Sequence, residues 1–405
     1  MANKLRILGE LSITRDLALL LALGGLYSLS VALSNSFVNI YLWKQSGNFT
    51  EIGLYNLSIV VLQPLTFILA GRWAKKVDRI IVLRTGVIFL ALFYLSVLAA
   101  GTGASRMLML LGGLLGIGYG FYWLAFNVLT FEITEPDTRD FFNGFLGILS
   151  SAGGMIGPIT SGFIITLIGG MKGYMVVFGL SLTLFVLAVV LSFFLKRRPS
   201  KGKYAFKEVL NERKRNQNWR LITNAHLFQG LREGTFVFVI SVYVFLSTGS
   251  ELSLGTFGLL NSGVSFIAYF TVSRLIKKRR RKKAILLGGL ILYSAVFLIV
   301  KDVSFTKLLV YGSAIAIAYP LLLVPYMSIT YDVIGRSWKA AEMRIEYIVV
   351  REVFLNIGRI LSITAFLTAV TLFDWHKSIP VILLVLGAGH SFIYFFVRKV
   401  HLSSP

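Results

Sequence analysis

The stretch "KRRPSKGKYAFKEVLNERKRNQNWR" (Lys196–Arg220) is the longest polar interruption in a chain that is otherwise mostly apolar. Of the 405 residues, 56% are hydrophobic and only 15% are charged. A water-soluble chain of this length needs far more polar surface, so the composition indicates a membrane protein. Six apolar runs precede the stretch and six follow it, and each approaches the roughly 20 residues that cross a bilayer. The stretch therefore predicts a division of the chain into two halves.

The twelve runs predict an all-α membrane protein with twelve transmembrane helices in two six-helix halves. The predicted domains are an N-terminal half over residues 1–195, a cytoplasmic linker over 196–220 and a C-terminal half over 221–405. The predicted spans are residues 17–43, 52–73, 80–100, 107–131, 141–168, 174–195, 221–247, 254–274, 284–301, 308–332, 346–372 and 379–397.

Short segments of the first half recur in the second half in the same order. The segment "IGLYN" (Ile52–Asn56) recurs as "FGLLN" (Phe257–Asn261), and "LTFE" (Leu129–Glu132) recurs as "ITYD" (Ile329–Asp332). Each match is weak alone, but their shared order favours an internal repeat. Two repeated six-helix halves are typical of one large class of transporters.

The positive charges are unevenly distributed along the chain, whose formal net charge is +23. Most of the 41 lysine and arginine residues fall in alternate gaps between the apolar runs, on the side of the two termini. By the positive-inside rule we expect a multi-pass protein of the plasma membrane with both termini in the cytoplasm. Because the charges cluster in these short gaps, they do not indicate a nucleic-acid partner.

Several kinds of catalytic signature are missing from the sequence. It contains no cysteine, which excludes disulfides and thiolate chemistry. It also lacks a phosphate-binding P-loop, a zinc-protease motif and a nucleophile elbow. We therefore expect no enzymatic activity, no cofactor and no metal. The expected partners of a monomer are a small-molecule or lipid-like substrate, protons and membrane lipids.

Two glycine-led segments add a family resemblance to this pattern. The segment "GRWAKKVDR" (Gly71–Arg79) follows the second span, and "GGMIGPITSG" (Gly153–Gly162) lies on the fifth. Together with the twelve spans and the basic linker, they make the chain similar to major facilitator superfamily transporters over nearly its whole length. The resemblance implies alternating access, in which two halves rock about a midplane cavity. It places that cavity among spans 1, 4, 7 and 10, with spans 2, 5, 8 and 11 at its flanks.

The loop after the second span departs from the family signature in its charges. Gly71, Lys76 and Arg79 match the signature, whereas Lys75 stands in the place of an aspartate and Asp78 in the place of a second glycine. In the family that aspartate is understood to latch the halves together in the outward-open state. A lysine would be repelled by the positive end of a helix. We expect Asp78 to take over the latch, and a weakened latch is the alternative.

The segment on the fifth span resembles a signature of proton-driven antiporters, with Ser161 in place of one glycine. The matching residues are Gly153, Gly154, Gly157, Pro158 and Gly162. Glycines four residues apart give a flat helix face that lets two backbones approach closely, and a proline bends the helix. The resemblance implies export coupled to proton entry. The alternative interpretation is ordinary tight helix packing.

Charged residues inside the spans are the best functional candidates, because an ionisable group near the bilayer centre costs at least about 2.5 kcal/mol. The seventh span carries Arg232 and Glu233, and the eleventh carries Arg351, Glu352, Asn356 and Arg359 in one arc of the helix. Neighbours on a helix diverge by about 100°. We therefore expect Arg232 to pair with Glu352 and Arg359 with Glu233. Two interpretations stay open: a structural charge network, or a coupled proton carried by Glu233 or Glu352.

The first half offers uncharged polar and aromatic candidates for a substrate cavity. They are Asn35, Asn39, Tyr119, Tyr122, Trp123 and Asn127. Tyrosine and tryptophan rings stack on aromatic or cationic ligands, but they also fill the interfaces between helices. We interpret His390, on the last span, as a packed polar residue.

These features together predict a secondary active transporter, with proton-coupled efflux of an amphipathic small molecule as its function. A flippase for a lipid-linked precursor and a sugar or nutrient symporter are the alternatives within transport. A membrane sensor or scaffold that transports nothing is the alternative from another class.

Overall fold

The computed structural model describes residues 14–133, 136–197, 202–301 and 303–401. Within these ranges the chain is helical and contains no β-strand. The helices of the first half are α1 (Arg15–Ser46), α2 (Phe49–Lys76), α3 (Arg79–Ala100), α4 (Leu108–Ile133), α5 (Pro136–Ile168) and α6 (Gly170–Ser192). The linker contains α7 (Phe206–Arg215). The helices of the second half are α8 (Gln217–Thr248), α9 (Glu251–Leu275), α10 (Arg281–Val296), α11 (Phe305–Gly335), α12 (Arg344–Leu372), α13 (Trp375–Gly387) and α14 (Gly389–Val397).

The lengths of these helices agree with a twelve-span membrane protein. In the described part of the chain, ten helical segments are long and apolar enough to cross a bilayer. One of them, Arg79–Thr130, contains both α3 and α4, which a short 3₁₀ segment (Gly101–Met107) joins. The helix α10 has 16 residues and is the shortest unbroken span. The last span consists of α13 and α14 together. The predicted fold class is confirmed.

The linker differs from the prediction, because it contains α7 and because α8 begins at Gln217, before the predicted start of the span. The side chain of Asn216 caps α8 by accepting a hydrogen bond from the backbone N–H of Trp219 at 3.0 Å. The Trp219 ring is buried, and its Nε1–H donates to the carbonyl of Val209 on α7 at 3.2 Å. The start of α8 is thus held by this cap and by the buried Trp219 ring, although Gln217 and Arg220 are exposed, and hydropathy alone does not detect it.

The same turn joins the first two helices of each half. Gly47 follows the end of α1 and Gly249 follows the end of α8, and both glycines have the left-handed backbone conformation, with φ of 61° and 66°. The next residues, Asn48 and Ser250, cap α2 and α9 through their side chains. These matched turns lie just before the matched segments of the sequence, as an internal repeat requires.

The two sets of helices meet along two interfaces, one between α2 and α12 and the other between α5 and α9. We call the end of the bundle that carries Lys75, Arg79 and the linker the basic end. The opposite end carries Lys44 and Glu251, at the junctions α1–α2 and α8–α9. In the numbering of spans, α8 is the seventh span and α12 the eleventh.

Candidate functional site

A cavity of about 500 Å³ lies between the two halves. It is lined by residues of α1, α2, α4, α8, α11 and α12. These helices are spans 1, 2, 4, 7, 10 and 11, so the cavity includes the four spans expected from the family resemblance. Its volume suits a small molecule, because ligand pockets commonly range from about 300 to 1,000 Å³.

Glu233 lies on the wall of this cavity and accepts hydrogen bonds from three side chains. Its Oε2 atom accepts from Arg359 Nη2 at 2.7 Å, and its Oε1 atom accepts from Gln229 Nε2 at 2.8 Å and from the Tyr319 hydroxyl at 2.9 Å. Arg359 also donates from Nη1 to Asn356 Oδ1 at 3.4 Å. The structure thus forms the predicted pair between Arg359 and Glu233. Asn356 is buried beside this pair and does not line the cavity.

Close packing of α8 on α12 brings this pair together. A Cβ atom at Gly230 would lie 2.0 Å from the carbonyl oxygen of Leu355, and one at Gly358 would lie 2.0 Å from the carbonyl oxygen of Leu227. Neither position therefore has room for a side chain while the helices keep this spacing. The glycines let the two backbones touch, so the side chain of Glu233 reaches the guanidinium of Arg359.

The remaining charges pair differently from the prediction. Arg351 and Glu352 form an ion pair with each other, and Arg351 Nη1 donates to the Tyr331 hydroxyl at 3.4 Å. The expectation that these neighbours do not pair is wrong, because both side chains are long enough to bend toward one another along the cavity wall. Arg351 and Glu352 both line the cavity.

Arg232 does not pair with Glu352 and does not line the cavity, so this prediction is also wrong. It is buried, with its guanidinium 4.5 Å from the centre of the Phe236 ring and Nη2 3.3 Å from the Tyr311 hydroxyl. Because Arg232 and Glu233 diverge by about 100° around α8, only one of them faces the cavity. His390 is fully buried behind Glu233, with 4.0 Å between its Nε2 and Glu233 Oε1.

The first half supplies an uncharged wall to the cavity. Of the six residues predicted there, the structure places five on the wall: Asn35, Asn39, Tyr119, Trp123 and Asn127. The sixth residue, Tyr122, is buried in the first half, where its ring stacks on Tyr27 with 4.0 Å between the ring centres. Tyr122 thus fills a helix interface, which was the alternative interpretation for the aromatic residues.

Three polar residues of α2 also line the cavity, and the sequence analysis missed them. They are Tyr55, Asn56 and Gln63. Asn56 donates from Nδ2 to Asn39 Oδ1 at 2.9 Å, which ties α2 to α1. Asn56 and Gln63 are seven residues apart, so they share one face of a helix that is otherwise mostly apolar. This spacing of two polar residues is the feature of the sequence that could have identified them.

At the basic end, Lys75 forms an ion pair across the two halves. Its Nζ atom lies 2.5 Å from Glu346 Oε1 on α12, and the side chains of Lys75 and Glu346 are only 7% and 0% exposed. Lys75 also donates to the carbonyls of Glu342 at 3.0 Å and Lys203 at 3.3 Å. The backbone N–H of Ala205 in the linker donates to the same Glu346 oxygen at 3.0 Å. Lys75 therefore connects α2, α12 and the linker.

Gly71 of this loop packs against the linker and α12 near the Lys75–Glu346 pair. A Cβ atom at Gly71 would lie 2.9 Å from the Tyr204 hydroxyl and 3.1 Å from Val349, so the glycine makes room for the linker and for α12. Burial and the Glu346 carboxylate raise the pKa of the Tyr204 hydroxyl. Lys76 is exposed at the end of α2.

Asp78 and Arg79 act within the first half. The Asp78 side chain caps α3 by accepting from the backbone N–H of Ile80 at 2.6 Å, and Arg79 forms a 2.7 Å ion pair with Glu132 on α4. The described contact of Asp78 is thus a helix cap, and it does not place Asp78 in the role of the missing aspartate. Lys75 itself makes the contact between the halves, because its partner is a carboxylate and not the positive end of a helix.

A second ion pair joins the halves at the opposite end. Lys44 at the end of α1 pairs with Glu251 at the start of α9. The Tyr174 hydroxyl on α6 donates to the same carboxylate at 2.9 Å. Each end of the bundle thus has a lysine from the first half paired with a glutamate from the second.

The glycines of α5 pack against helices of both halves. A Cβ atom at Gly157 would lie 2.8 Å from Ala32 on α1, and Gly153 faces the same helix. Gly154 and Gly162 face α9, where their Cβ atoms would lie 2.7 Å from Ser262 Oγ and 2.6 Å from the carbonyl of Glu251. The carbonyl of Pro158 also lies against α9. The glycines therefore form two closely packed faces, one against α1 within the first half and one against α9 at the interface between the halves.

Two helical bundles around a polar cavity, in a chain that crosses the membrane many times, define a secondary transporter. The sequence model described as Major Facilitator Superfamily matches residues 20–362. The chain therefore belongs to the major facilitator superfamily. Within the described residues, no group of three or more histidine, aspartate or glutamate side chains is placed to hold a metal ion.

Two bacterial proteins are similar to this chain in sequence. The uncharacterized protein YqgE of Bacillus subtilis (strain 168) is 64% identical over 400 residues, which cover 99% of this chain and 93% of YqgE. An uncharacterized protein in the sodM 3' region of Geobacillus stearothermophilus is 62% identical over 173 residues, covering 43% of this chain and 81% of that protein.

Two solved transporters share the fold at low sequence identity. The human organic anion transporter MFSD10 (TETRAN) is 15% identical with a TM-score of 0.69, over 95% of this chain and 99% of that one. The E. coli fucose:proton symporter FucP is 16% identical with a TM-score of 0.65, over 94% of this chain and 97% of that one.

Proposed function

We propose that this chain is a proton-coupled secondary active transporter for an amphipathic small molecule, and that Glu233 carries the proton. The observation that supports this most strongly is the ion pair between Glu233 and Arg359 on the cavity wall. A buried carboxylate is costly unless it is paired or neutralised. When Arg359 is drawn away, Glu233 is stabilised by binding a proton. The pair can thereby link substrate binding to proton binding.

Glu352 is the second candidate for the proton carrier, because it also lines the cavity. Its partner, however, is its own neighbour Arg351 on the same helix. A pair within one helix can persist while helices and halves move. The pair between Glu233 on α8 and Arg359 on α12 joins two helices of the second half. A substrate that binds Arg359 can break it by moving side chains alone, so Glu233 fits the coupling role better.

We propose that the two ion pairs between the halves alternate during transport. The Lys75–Glu346 pair closes the basic end and the Lys44–Glu251 pair closes the opposite end. Opening the cavity to either side requires one of them to break. In this scheme Lys75 performs the latch function that the family assigns to an aspartate. The scheme has the basic end facing the cytoplasm in the plasma membrane, and it needs only a monomer.

The direction of transport depends on whether substrate and proton compete. The glycine–proline segment of α5 favours proton-driven efflux, in which the two bind in turn. Co-transport requires that both bind together. Which of the two modes operates depends on the charge of the substrate, because that charge determines whether the substrate binds Glu233 or Arg359.

The proposal can be tested with purified protein in liposomes that contain a pH-sensitive dye. A panel of amphiphiles, sugars and lipid precursors is screened for proton movement in the wild type. For the active compound, we expect Glu233→Gln to abolish gradient-driven accumulation while exchange of labelled for unlabelled substrate continues. Glu352→Gln tests the second candidate for the proton carrier, and we expect it to retain gradient-driven accumulation. Normal accumulation by Glu233→Gln would refute the proton role.

The same screen separates the alternative functions. Proton movement with a sugar alone would support a nutrient symporter, and movement of a lipid-linked precursor between leaflets would support a flippase. A protein that binds none of these compounds, and whose cavity residues stay inaccessible to thiol reagents in every condition, would be a sensor or scaffold. Single cysteines can be introduced cleanly for that labelling, because the sequence has no native cysteine.

A further inference from the structure

We infer that the substrate carries an anionic group that binds the guanidinium of Arg359, an inference that rests on the proposed coupling role of the Glu233–Arg359 pair. The side chain that carries this guanidinium is more exposed than the side chain that carries the carboxylate. The side chain of Arg359 is 23% exposed, whereas that of Glu233 is 11% exposed. A ligand that enters the cavity therefore meets the positive partner of the pair first.

The hydrogen bonds of the Glu233–Arg359 pair also favour an anionic ligand. A guanidinium has five N–H donors, and the described side-chain contacts of Arg359 are one bond to Glu233 and one to Asn356. Glu233, in contrast, already accepts from three side chains. An anion can thus bind the remaining N–H donors of Arg359 first and then draw the guanidinium away from Glu233, whereas a cation must displace donors from Glu233 at once.

The second ion pair of the cavity does not offer a site to a cation either. Glu352 is occupied by Arg351, and Arg351 also donates to Tyr331 at 3.4 Å. A ligand cation would again compete with a guanidinium for the carboxylate. Both carboxylates among the lining residues are therefore already paired.

The wall from the first half would hold the rest of the substrate. The residues that α1, α2 and α4 contribute to the lining include no charged side chain. Gln63 and Asn127 offer carboxamides, which can bind hydroxyl, carbonyl or amide groups. Tyr119 and Trp123 offer aromatic surface for an apolar or ring-containing body. The substrate class is thus an organic anion with an apolar or ring-shaped body and hydrogen-bonding groups.

Binding of such an anion predicts co-transport with a proton. When the anion takes over Arg359, Glu233 loses its charged partner and accepts one proton from the water on the same side. One negative charge and one proton then enter together, so a monoanion moves without net charge. A cation would compete with the proton for Glu233 and would be exchanged for it. The inference thus favours co-transport over the efflux mode expected from α5.

Several titratable groups surround Glu233, so their protonation and that of Glu233 depend on one another. They are Arg359 on α12, Tyr319 on α11, His390 on α14, Tyr269 on α9 and His226 on α8. Arg359 is the charged group in direct contact with the carboxylate at 2.7 Å. Loss of that contact is therefore the event that we expect to drive proton uptake.

The test uses matched compounds that differ only in charge. Purified protein in detergent is titrated calorimetrically with phenylacetate, phenylacetamide and phenethylamine, and with the corresponding acid, amide and amine of a six-carbon chain and of a sugar. Titration in buffers with different ionisation enthalpies gives the number of protons bound. We expect an acid to bind most tightly in at least one series, with uptake of about one proton per anion.

The variant Glu233→Gln/Arg359→Gln removes both charges, so that neither is left buried and unpaired. We expect it to bind the acid about 100-fold more weakly, because a charge-assisted hydrogen bond is lost. Binding of the amide should not change. The matched control Arg281→Gln/Asp332→Asn neutralises a 2.9 Å ion pair away from the cavity and should bind like the wild type.

The possible results separate the inference of an anionic substrate from the proposed function on which it rests. Tighter binding of amines or amides, or no binding by any acid of the panel, would overturn the inference. If an amine or amide then moves protons through the wild type but not through Glu233→Gln, the proposed function still stands. If acids bind through Arg359 without proton uptake, the anion site stands and the coupling role of Glu233 fails.

Discussion

Replacing Lys75 with methionine should open the basic end of the bundle. The structure allows a magnitude to be worked out, because the side chains of Lys75 and Glu346 are 7% and 0% exposed and their charged atoms are 2.5 Å apart. Removing one partner of a buried ion pair costs about 3–5 kcal/mol. In the state with an open basic end, Glu346 would be reached by water, so the cost falls on the closed state. At 1.4 kcal/mol per factor of ten, about 3 kcal/mol shifts the balance of states by about 100-fold.

The shift can be measured as a distance between two spin labels at the basic end. Lys76→Cys on α2 and Ala341→Cys between α11 and α12 are exposed positions in the two halves, and no native cysteine competes for the label. Pulsed electron paramagnetic resonance should show one short distance for the labelled parent. In the Lys75→Met background we expect a longer distance to dominate.

The reversed pair Lys75→Glu/Glu346→Lys is the control for this reasoning. It keeps an ion pair between α2 and α12 and should restore much of the short distance, whereas Glu346→Gln alone should behave like Lys75→Met. An unchanged distance distribution in Lys75→Met would refute the latch.

Three further changes test other contacts of the structure. Added to Lys75→Met, the change Lys44→Met breaks the pair with Glu251 at the opposite end, so the same labels should report a larger share of the short distance than in Lys75→Met alone. Asp78→Ala removes the cap of α3 and should cost about 1 kcal/mol, seen as a lower midpoint of thermal unfolding in detergent, without changing that distance. In Gly358→Ala the added Cβ would lie 2.0 Å from a carbonyl oxygen of α8, so we expect a clear loss of thermal stability. The control Gly179→Ala has open space around the added Cβ and should keep or raise thermal stability.

The fold was largely predictable from the sequence, because a bilayer requires long apolar helices and leaves few other arrangements. Helix ends were less predictable. The helix α1 continues to Ser46 and α8 begins at Gln217, since polar residues at these ends are capped or covered by protein. The short helix α7 (Phe206–Arg215) was missed in the linker, because its charged residues resemble an irregular segment.

The site was predictable where helix geometry alone decides the contact. Glu233 and Arg359 were expected to meet because neighbours on one helix diverge by about 100°, which favours pairs between spans 7 and 11, and they do meet. Arg232 was misplaced, because the side of α8 that faces the cavity depends on the packing of α8 in the second half. The pair between Arg351 and Glu352 depends on the bending of two long side chains, which helical angles do not describe.

The partner of Lys75 could not be predicted from the sequence, for a different reason. The position of Lys75 could be found from the loop signature, and its charge argued against the usual contact. Its partner Glu346 is 271 residues away, and only the packing of α2 on α12 brings the two together. A change of sign at one position can be matched by a carboxylate at another, and a single sequence does not show this.

The most direct measurement of the central claim is the protonation of Glu233 itself. Infrared difference spectra are recorded with and without the substrate that the liposome screen identifies. We predict that substrate binding produces the carbonyl band of a protonated carboxyl group in the wild type and in Glu352→Gln, and that this band is absent in Glu233→Gln. A band that persists in Glu233→Gln, or no band in the wild type during proton-coupled transport, would contradict the account.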